Sequence, residues 1–237
     1  MTNSLLIAKK EIKSYFTSPA AYIALFVFLI IASWFFSNPM FLIGSATLRT
    51  LFNIIPIVYI FFIPAITMSL ISKEKNTGTI EVLTTFPISD SEIVWGKFLG
   101  SLTIIVAGLA FTLVHLFTIM LIGENLDFGA ILGGYLGLLL MGAAYSAIGI
   151  FASSLTDNQI IAFIIGLLIV FILFIVQSTL MYLPSSIANF FRFISSGYHF
   201  SNMMKGIIDS RDLIYFGSVI LIFLKLSIVK MESRKWK

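Results

Sequence analysis

The residues able to do chemistry are few, and most gather in one stretch. Ser72 to Lys97 reads SKEKNTGTIEVLTTFPISDSEIVWGK and carries Lys73, Glu74, Lys75, Glu81, Asp90, Glu92 and Lys97. Its Gly96-Lys97 pair invites comparison with the phosphate-binding loop G-x-x-x-x-G-K-[ST], whose backbone amides cradle a nucleotide. The match fails on both flanks, with Ser91 in place of the first glycine and Phe98 in place of the Mg-binding hydroxyl. The chain is therefore expected to hold no ATP site of its own, and any uphill work must be driven from another subunit. Elsewhere, His115 and Gln177 are the strongly polar side chains deep within apolar stretches. A lone histidine with no carboxylate or second histidine at ligand spacing reads as a hydrogen-bonded packing residue. No H-E-x-x-H, paired histidine or acidic relay occurs in those stretches, which argues against an intramembrane metalloprotease, a proton pump and most ion-coupled transporters. No catalytic residue, metal ligand or cofactor is assigned to this chain, and the expectation is a protein that is not an enzyme.

The elements that must position these residues follow from composition. Of 237 residues, 59% are apolar and 11% charged, against roughly 25% charged in soluble domains. Mean hydropathy is +1.03, and there are 24 Phe, more apolar surface than one aqueous core of this size can hide. Lipid is the solvent that resolves the excess. The absence of Cys removes disulfides and thiolate clusters. Charge-poor stretches near the about 20 residues that a spanning helix needs locate the spans. They are Ala20 to Phe36, Leu51 to Ile71, Phe98 to Ile122, Ile131 to Leu155, Ile160 to Leu180 and Leu213 to Val229, the last with Lys225 snorkelling to the headgroups. The expected fold class is all-α, a single polytopic membrane domain over 1–237 with six transmembrane helices. Of the 15 Lys and Arg, all but Arg49, Arg192, Lys205 and Arg211 fall on the side of the termini, which makes that side cytoplasmic, N-in and C-in. The net charge of +4 is then topological, and no nucleic-acid partner is implied. Trp34, Phe35 and Phe36 stand where a small-x-small cleavage site would follow a signal sequence, so the first helix is expected to be retained.

Between the spans, Leu5, Ala8, Ile12, Tyr15 and Phe16 fall near one helical face and Lys9, Lys10 and Lys13 on the other, the pattern of a helix lying in the inner interface. Pro19 turns it into the first span. In the inner segment, Thr79 to Thr85 after Gly78 makes a short amphipathic helix with Ile80, Leu83 and Phe86 on one side, stopped by Pro87. Ser89 or Asp90 caps the next helix, with Glu92 in its first turn. Such a charged and apolar knuckle either rests on lipid or is gripped by a soluble partner. On the outside, Leu183 to Asp212 divides into two short helical patterns at Ser195-Ser196-Gly197, lining an exit path or lidding the bundle. Gly129, Gly133 and Gly137 let helix backbones approach closely, within the bundle or across a dimer seam. Pro56 and Pro64 predict a bent or locally unwound second span, and Asp157 is placed as the cap of the fifth.

The inner segment resembles the loop of ABC-2 type permeases, the membrane halves of ABC transporters. Glu74-Lys-Asn-Thr-Gly78-Thr79-Ile-Glu81-Val-Leu83, Pro87-Ile88-Ser89 and Gly96-Lys97 carry the likeness. Lys10-Glu11-Ile-Lys13-Ser-Tyr-Phe-Thr-Ser-Pro19, Gly133-Gly-Tyr-Leu-Gly137, Ser153-Ser-Leu-Thr-Asp-Asn158-Gln159, Tyr198-His199-Phe200, Gly206-Ile-Ile-Asp209-Ser-Arg211-Asp212 and Glu232-Ser-Arg234-Lys-Trp236 resemble one branch, the gliding-motility GldF-like permeases. The resemblance implies that Gly78 to Pro87 is a coupling helix seated in a cytoplasmic ATPase subunit that brings ATP and Mg. Glu74, Gly78, Thr79, Ile80, Glu81, Leu83 and Pro87 would form the docking set. It further implies a second permease chain, identical or related, the bacterial cytoplasmic membrane as location and, in some members of the branch, a partner with an extracytoplasmic domain. The function expected is a permease subunit coupling ATP hydrolysis elsewhere to export or extraction of a substrate. A non-transporting mechanical relay shares every one of these features, whereas a lipid-active enzyme lacks polar catalytic groups at interface depth.

Overall fold

The computed structural model describes residues 3–43, 47–81, 86–122, 127–179 and 184–233. Ten helices are labelled here: α1 (Asn3–Thr17), α2 (Pro19–Ile43), α3 (Leu48–Thr67), α4 (Ser69–Asn76), α5 (Asp90–Ile122), α6 (Phe128–Leu155), α7 (Gln159–Thr179), α8 (Ser185–Ile194), α9 (Ser196–Met203) and α10 (Ser210–Glu232). Six stretches are long and apolar enough to cross a membrane, namely α2, α3 continued through α4, α5, α6, α7 and α10. The end that holds α1, α4 and the last turn of α10 is called the base, and the end that holds α8 and α9 the crown.

Three boundaries or bends differ from the sequence reading, each for a physical reason. The first span runs on to Ile43 through Pro39, because a proline inside a membrane helix removes one backbone donor and leaves the remaining ladder intact. Likewise Pro56 and Pro64 lie inside a continuous α3, and the interruption comes later, at Met68. α5 begins at Asp90, as its sequence predicts, and there Ser89 and Glu92 form a reciprocal capping box: Ser89 Oγ accepts from the Glu92 amide at 3.2 Å and Glu92 Oε2 from the Ser89 amide at 2.9 Å. The cap of α7 is Asn158 rather than Asp157, since Asn158 immediately precedes the first helical residue and its Oδ1 accepts from the amides of Ile160 and Ile161 at 2.9 and 3.3 Å.

α6 is the axis of the bundle. Of its most apolar window 78% is buried, against 17% for α7, and α3, α5, α7, α9 and α10 all pack on it. The backbone of α6 can be surrounded because its small residues lie on several faces. Gly134 receives the ring of Phe52, Gly142 faces Ile105 and Tyr59, and Gly149 faces Thr67. The glycine stripe singled out in the sequence serves this internal packing. Gly133 lies under the carbonyl of Met203, and Gly137 under Phe200 and Met203, so that α9 is drawn onto the axis. Gly129 abuts Gly206, whose φ of +81° makes the turn after α9. Serine does the same work at the base. Ser153 of α6 accepts from the amides of Ile71 and Ser72 at 3.0 and 2.9 Å and donates to the Met68 carbonyl at 2.8 Å. The Ile71 amide, in the first turn of α4, is one that a helix start leaves without a helical partner.

Candidate functional site

The elbow after α4 is built by a glycine. Gly78 adopts φ +69°, the left-handed turn that ends a helix cheaply only without a Cβ. Its amide donates to the Lys75 carbonyl and that of Thr77 to the Lys73 carbonyl. A helical turn then restarts at Thr79–Glu81. Thr79 is exposed and its hydroxyl is 2.9 Å from that of Thr77. Glu81, Phe86 and Pro87 are exposed as well. Leu83 of the expected docking set lies outside the described residues.

Two members of that set are turned into the chain. Ile80 is 5% exposed and belongs to the base core with Ile7, Ile71, Ile93 and Phe98. Its place on the apolar side of the elbow is as expected from sequence, but that side is covered by the chain's own helices. Glu74 lies in an ion network centred on Lys97, which is 1% exposed. Lys97 Nζ is 2.8 Å from Glu11 Oε1 of α1 and 2.8 Å from Glu74 Oε2 of α4, while Lys10 Nζ is 3.3 Å from Glu74 Oε1. One ammonium on α5 thus holds two carboxylates from two other helices, and their pairing is what makes its burial tolerable.

α1 differs from the sequence expectation accordingly. Ile7, Ala8 and Glu11 form its buried face, and Leu5 and Phe16 lie outward at 47% and 39% exposure. The reason is α5, along which α1 packs. Gly96 and Gly100, one helical turn apart, leave room for Ile7 and for the stem of Glu11, and this brings the Glu11 carboxylate to Lys97. Tyr15 completes the seam by donating to the Ile66 carbonyl at 2.8 Å. Burial first, and the nearby Glu11 second, push its phenol pKa above the usual range and keep it a donor. Sequence reasoning missed this network. The readable signal was the Gly96-x-x-x-Gly100 spacing, overlooked while the Gly-Lys pair was weighed as a nucleotide loop and as part of the family likeness. A cavity of about 550 Å³ opens beside the network, lined among others by Lys10, Glu11, Lys73, Glu74, Lys97 and Gln159.

The crown is joined by different contacts. Tyr145 Oη is 2.7 Å from Ser196 Oγ, and Tyr215 donates to the Ile194 carbonyl at 2.6 Å. His199 stacks on Tyr215 with centroids 4.1 Å apart, and its Nδ1 is 2.6 Å from Asp212 Oδ1. The break between α8 and α9 falls at Ser195, as its sequence predicts, and Ser195 Oγ caps α9 by accepting from the Tyr198 amide. α9 is thereby part of the packed bundle rather than a loose lid. His115, midway along α5, is bound by its neighbours: Nε2 is 3.0 Å from Ser33 Oγ, Nδ1 is 3.1 Å from the Thr112 carbonyl, and its ring meets Phe36 edge-on.

Comparison with curated proteins yields no match. The family model described as ABC-2 family transporter protein matches residues 37–229. That range holds the elbow, Glu74, Lys97 and the crown, and on the N-terminal side leaves out α1 and the greater part of α2. With the greater part of its length matched, and with six helices fit to cross a membrane, the chain belongs to the ABC-2 family of transporter proteins.

Proposed function

We propose that this chain is the permease subunit of an ABC transporter of the gliding-motility GldF-like branch, set in the bacterial cytoplasmic membrane with its base inward. A separate ATPase subunit, which brings ATP and Mg, docks on the elbow. The observation that carries this reading is the elbow's division of labour. Thr79, Glu81, Phe86 and Pro87 are exposed on it, while Ile80 and Glu74 anchor it to the base core and to Lys97. A knuckle held in this way has no slack, so a push on its surface is delivered to α4, α5 and α1 together as a rigid-body tilt. The inward base is supported by the Lys and Arg distribution. A second permease chain completes the transporter, with the broad apolar faces of α2 and α7 as the surfaces left for it and for lipid. The apolar interior favours an amphiphilic cargo.

The test is recovery of ATPase activity with the tagged full-length chain from its own membranes. Phe86→Asp, at a side chain 58% exposed, is expected to remove the activity and leave the thermal unfolding of the chain unchanged. Undiminished recovery with that variant, or labelling of an elbow cysteine from outside intact cells, overturns the assignment.

A further inference from the structure

The last carbonyls of α8, those of Phe193 and Ile194, lie beyond the reach of any amide of their own helix, and side chains of two other helices meet them. Tyr215 of α10 donates to the Ile194 carbonyl at 2.6 Å, and Nε2 of His199, on α9, is 3.4 Å from the Phe193 carbonyl. The other ring nitrogen, Nδ1, is 2.6 Å from Asp212 Oδ1. A carbonyl and a carboxylate are both acceptors, so both contacts are hydrogen bonds when each ring nitrogen carries a proton. One imidazole then ties the end of α8 to the start of α10 across α9. If the proton of the short Nδ1 contact sits on Asp212 instead, the pair still holds two protons and no net charge.

The surroundings favour that state. His199 and Asp212 are 4% and 2% exposed, and Asp212 Oδ2 has no hydrogen-bond partner among the described residues. A net charge is costly in such a place; the pair is neutral with two protons and negative with one. The helix ends act in the same sense, since the C-terminal carbonyls of α8 favour a cation and the first turn of α10, where Asp212 lies, favours an anion. Around the pair stand Arg192 from α8, Tyr198 from α9, Asp209, Arg211 and Tyr215 from α10 and its cap, and Tyr145 from α6. α7, which also packs on α9, has no titratable residue. Of these residue types histidine alone ordinarily changes charge near neutral pH.

We propose that His199 is a proton-operated clasp: the crown is closed while the His199–Asp212 pair holds two protons, and loss of one of them frees the end of α8. The Nε2 contact is the longer of the two and gives first. Deprotonated, Nε2 turns a lone pair toward the Phe193 carbonyl, and a net negative charge is left in the buried pair. The tie is thus present at lower pH and lost as pH rises. α9 itself stays on the axis, because its contacts with Gly133 and Gly137 do not involve this proton. With the base inward, as proposed above, the controlling proton is the outer one.

Hydrogen exchange of the full-length protein in lipid nanodiscs, open to buffer on both faces, tests the clasp between about pH 5 and about pH 9. It is read as protection factors, which remove the intrinsic pH dependence of exchange. α8 is expected to lose protection by at least about tenfold in one step as pH rises, while α6 and α9 keep theirs. With only two histidines in the chain, isotope-labelled histidine follows the His199 ring directly by NMR, and His115→Gln assigns it. Both ring nitrogens are expected to be protonated while α8 is protected, and the Nε2 proton to be lost at the pH of the step. His199→Gln cannot titrate and is expected to abolish the step at any level of protection. If that variant does not fold, the coincidence of the two wild-type curves decides. The clasp is overturned by the absence of a step, by a step at a pH where the His199 ring keeps its protons, or by a step that persists in His199→Gln.

Discussion

The base and the crown solve the same problem, tying a peripheral helix to the bundle, by opposite means. At the base a single ammonium, Lys97, holds α1 through Glu11 and α4 through Glu74. At the crown α9 is held by several separate contacts, namely Met203 and Phe200 against Gly133 and Gly137, the hydroxyl pair of Tyr145 and Ser196, and His199 on Asp212. A tie with one node is lost all at once when the node is removed, whereas a distributed tie weakens by degrees. On the function proposed above, the element that answers a partner's push sits at the nodal end.

The sharpest way to break this contrast is to remove the node. Lys97→Met leaves two largely buried carboxylates facing each other, and breaking a buried pair from one side costs about 3–5 kcal/mol. The expected result is a large drop in unfolding temperature in detergent, with α1 newly open to protease. Adding Glu11→Gln and Glu74→Gln is expected to recover much of the loss, since the cost lies in unpaired charge and not in missing volume. A triple variant as unstable as the single one would show that Lys97 matters for packing alone.

At the crown the matching substitutions act on space. Gly133→Ala drives a methyl into the carbonyl of Met203, which is backbone and cannot step aside, for a loss of about 1–3 kcal/mol. Gly129→Ala is the internal control, because its Cβ meets only the side chain of Asp127, at 3.2 Å. It is expected to be nearly neutral, helped by the better helix propensity of alanine, about 1 kcal/mol. Circular dichroism melts of both variants would check the difference. Ser153→Ala falls in the same range. It withdraws the hydroxyl that serves the amides of Ile71 and Ser72, for about 1–3 kcal/mol, and hydrogen exchange is expected to rise first in α4.

How much of this was legible in the sequence differs between the two ends. The spans were readable because a charge in mid-bilayer is costly, so charge-poor stretches mark them. The crown break at Ser195 and the value of small residues on α6 were readable because both are local. The base network was not, since Glu11 and Lys97 stand 86 positions apart, one on the helix expected in the inner interface and the other at the edge of a span. Lys97 was taken as the last residue before the third span, on a helix expected to start at Ser89 or Asp90, and nothing local shows that α1 and α4 close over that turn. Ile80 was assigned to the right face of its helix and to the wrong neighbour, because amphipathic periodicity gives a direction without saying what lies there. His199 and Asp212 entered only as members of strings, and their pairing depends on a turn at Gly206 that spacing alone does not fix.

The smallest effects make the finest test, because the two ends contain a matched pair. Tyr15 donates to the Ile66 carbonyl at the end of α3, and Tyr215 donates to the Ile194 carbonyl at the end of α8. Both cover carbonyls that a helix terminus leaves unpaired, so Tyr15→Phe and Tyr215→Phe are each expected to cost about 0.5–1.5 kcal/mol alone. They should part company in the Lys97→Met background. If Lys97 is the node that docks α1, then Tyr15 has already lost its acceptor there, and Tyr15→Phe adds almost nothing. Tyr215 lies at the far end and shares no partner with Lys97, so its cost adds in full, as expected for independent sites. Double-mutant cycles by thermal unfolding read this directly. A Tyr15 effect that also adds in full would mean that α1 stays docked without Lys97, and the base would then be held in the same distributed manner as the crown.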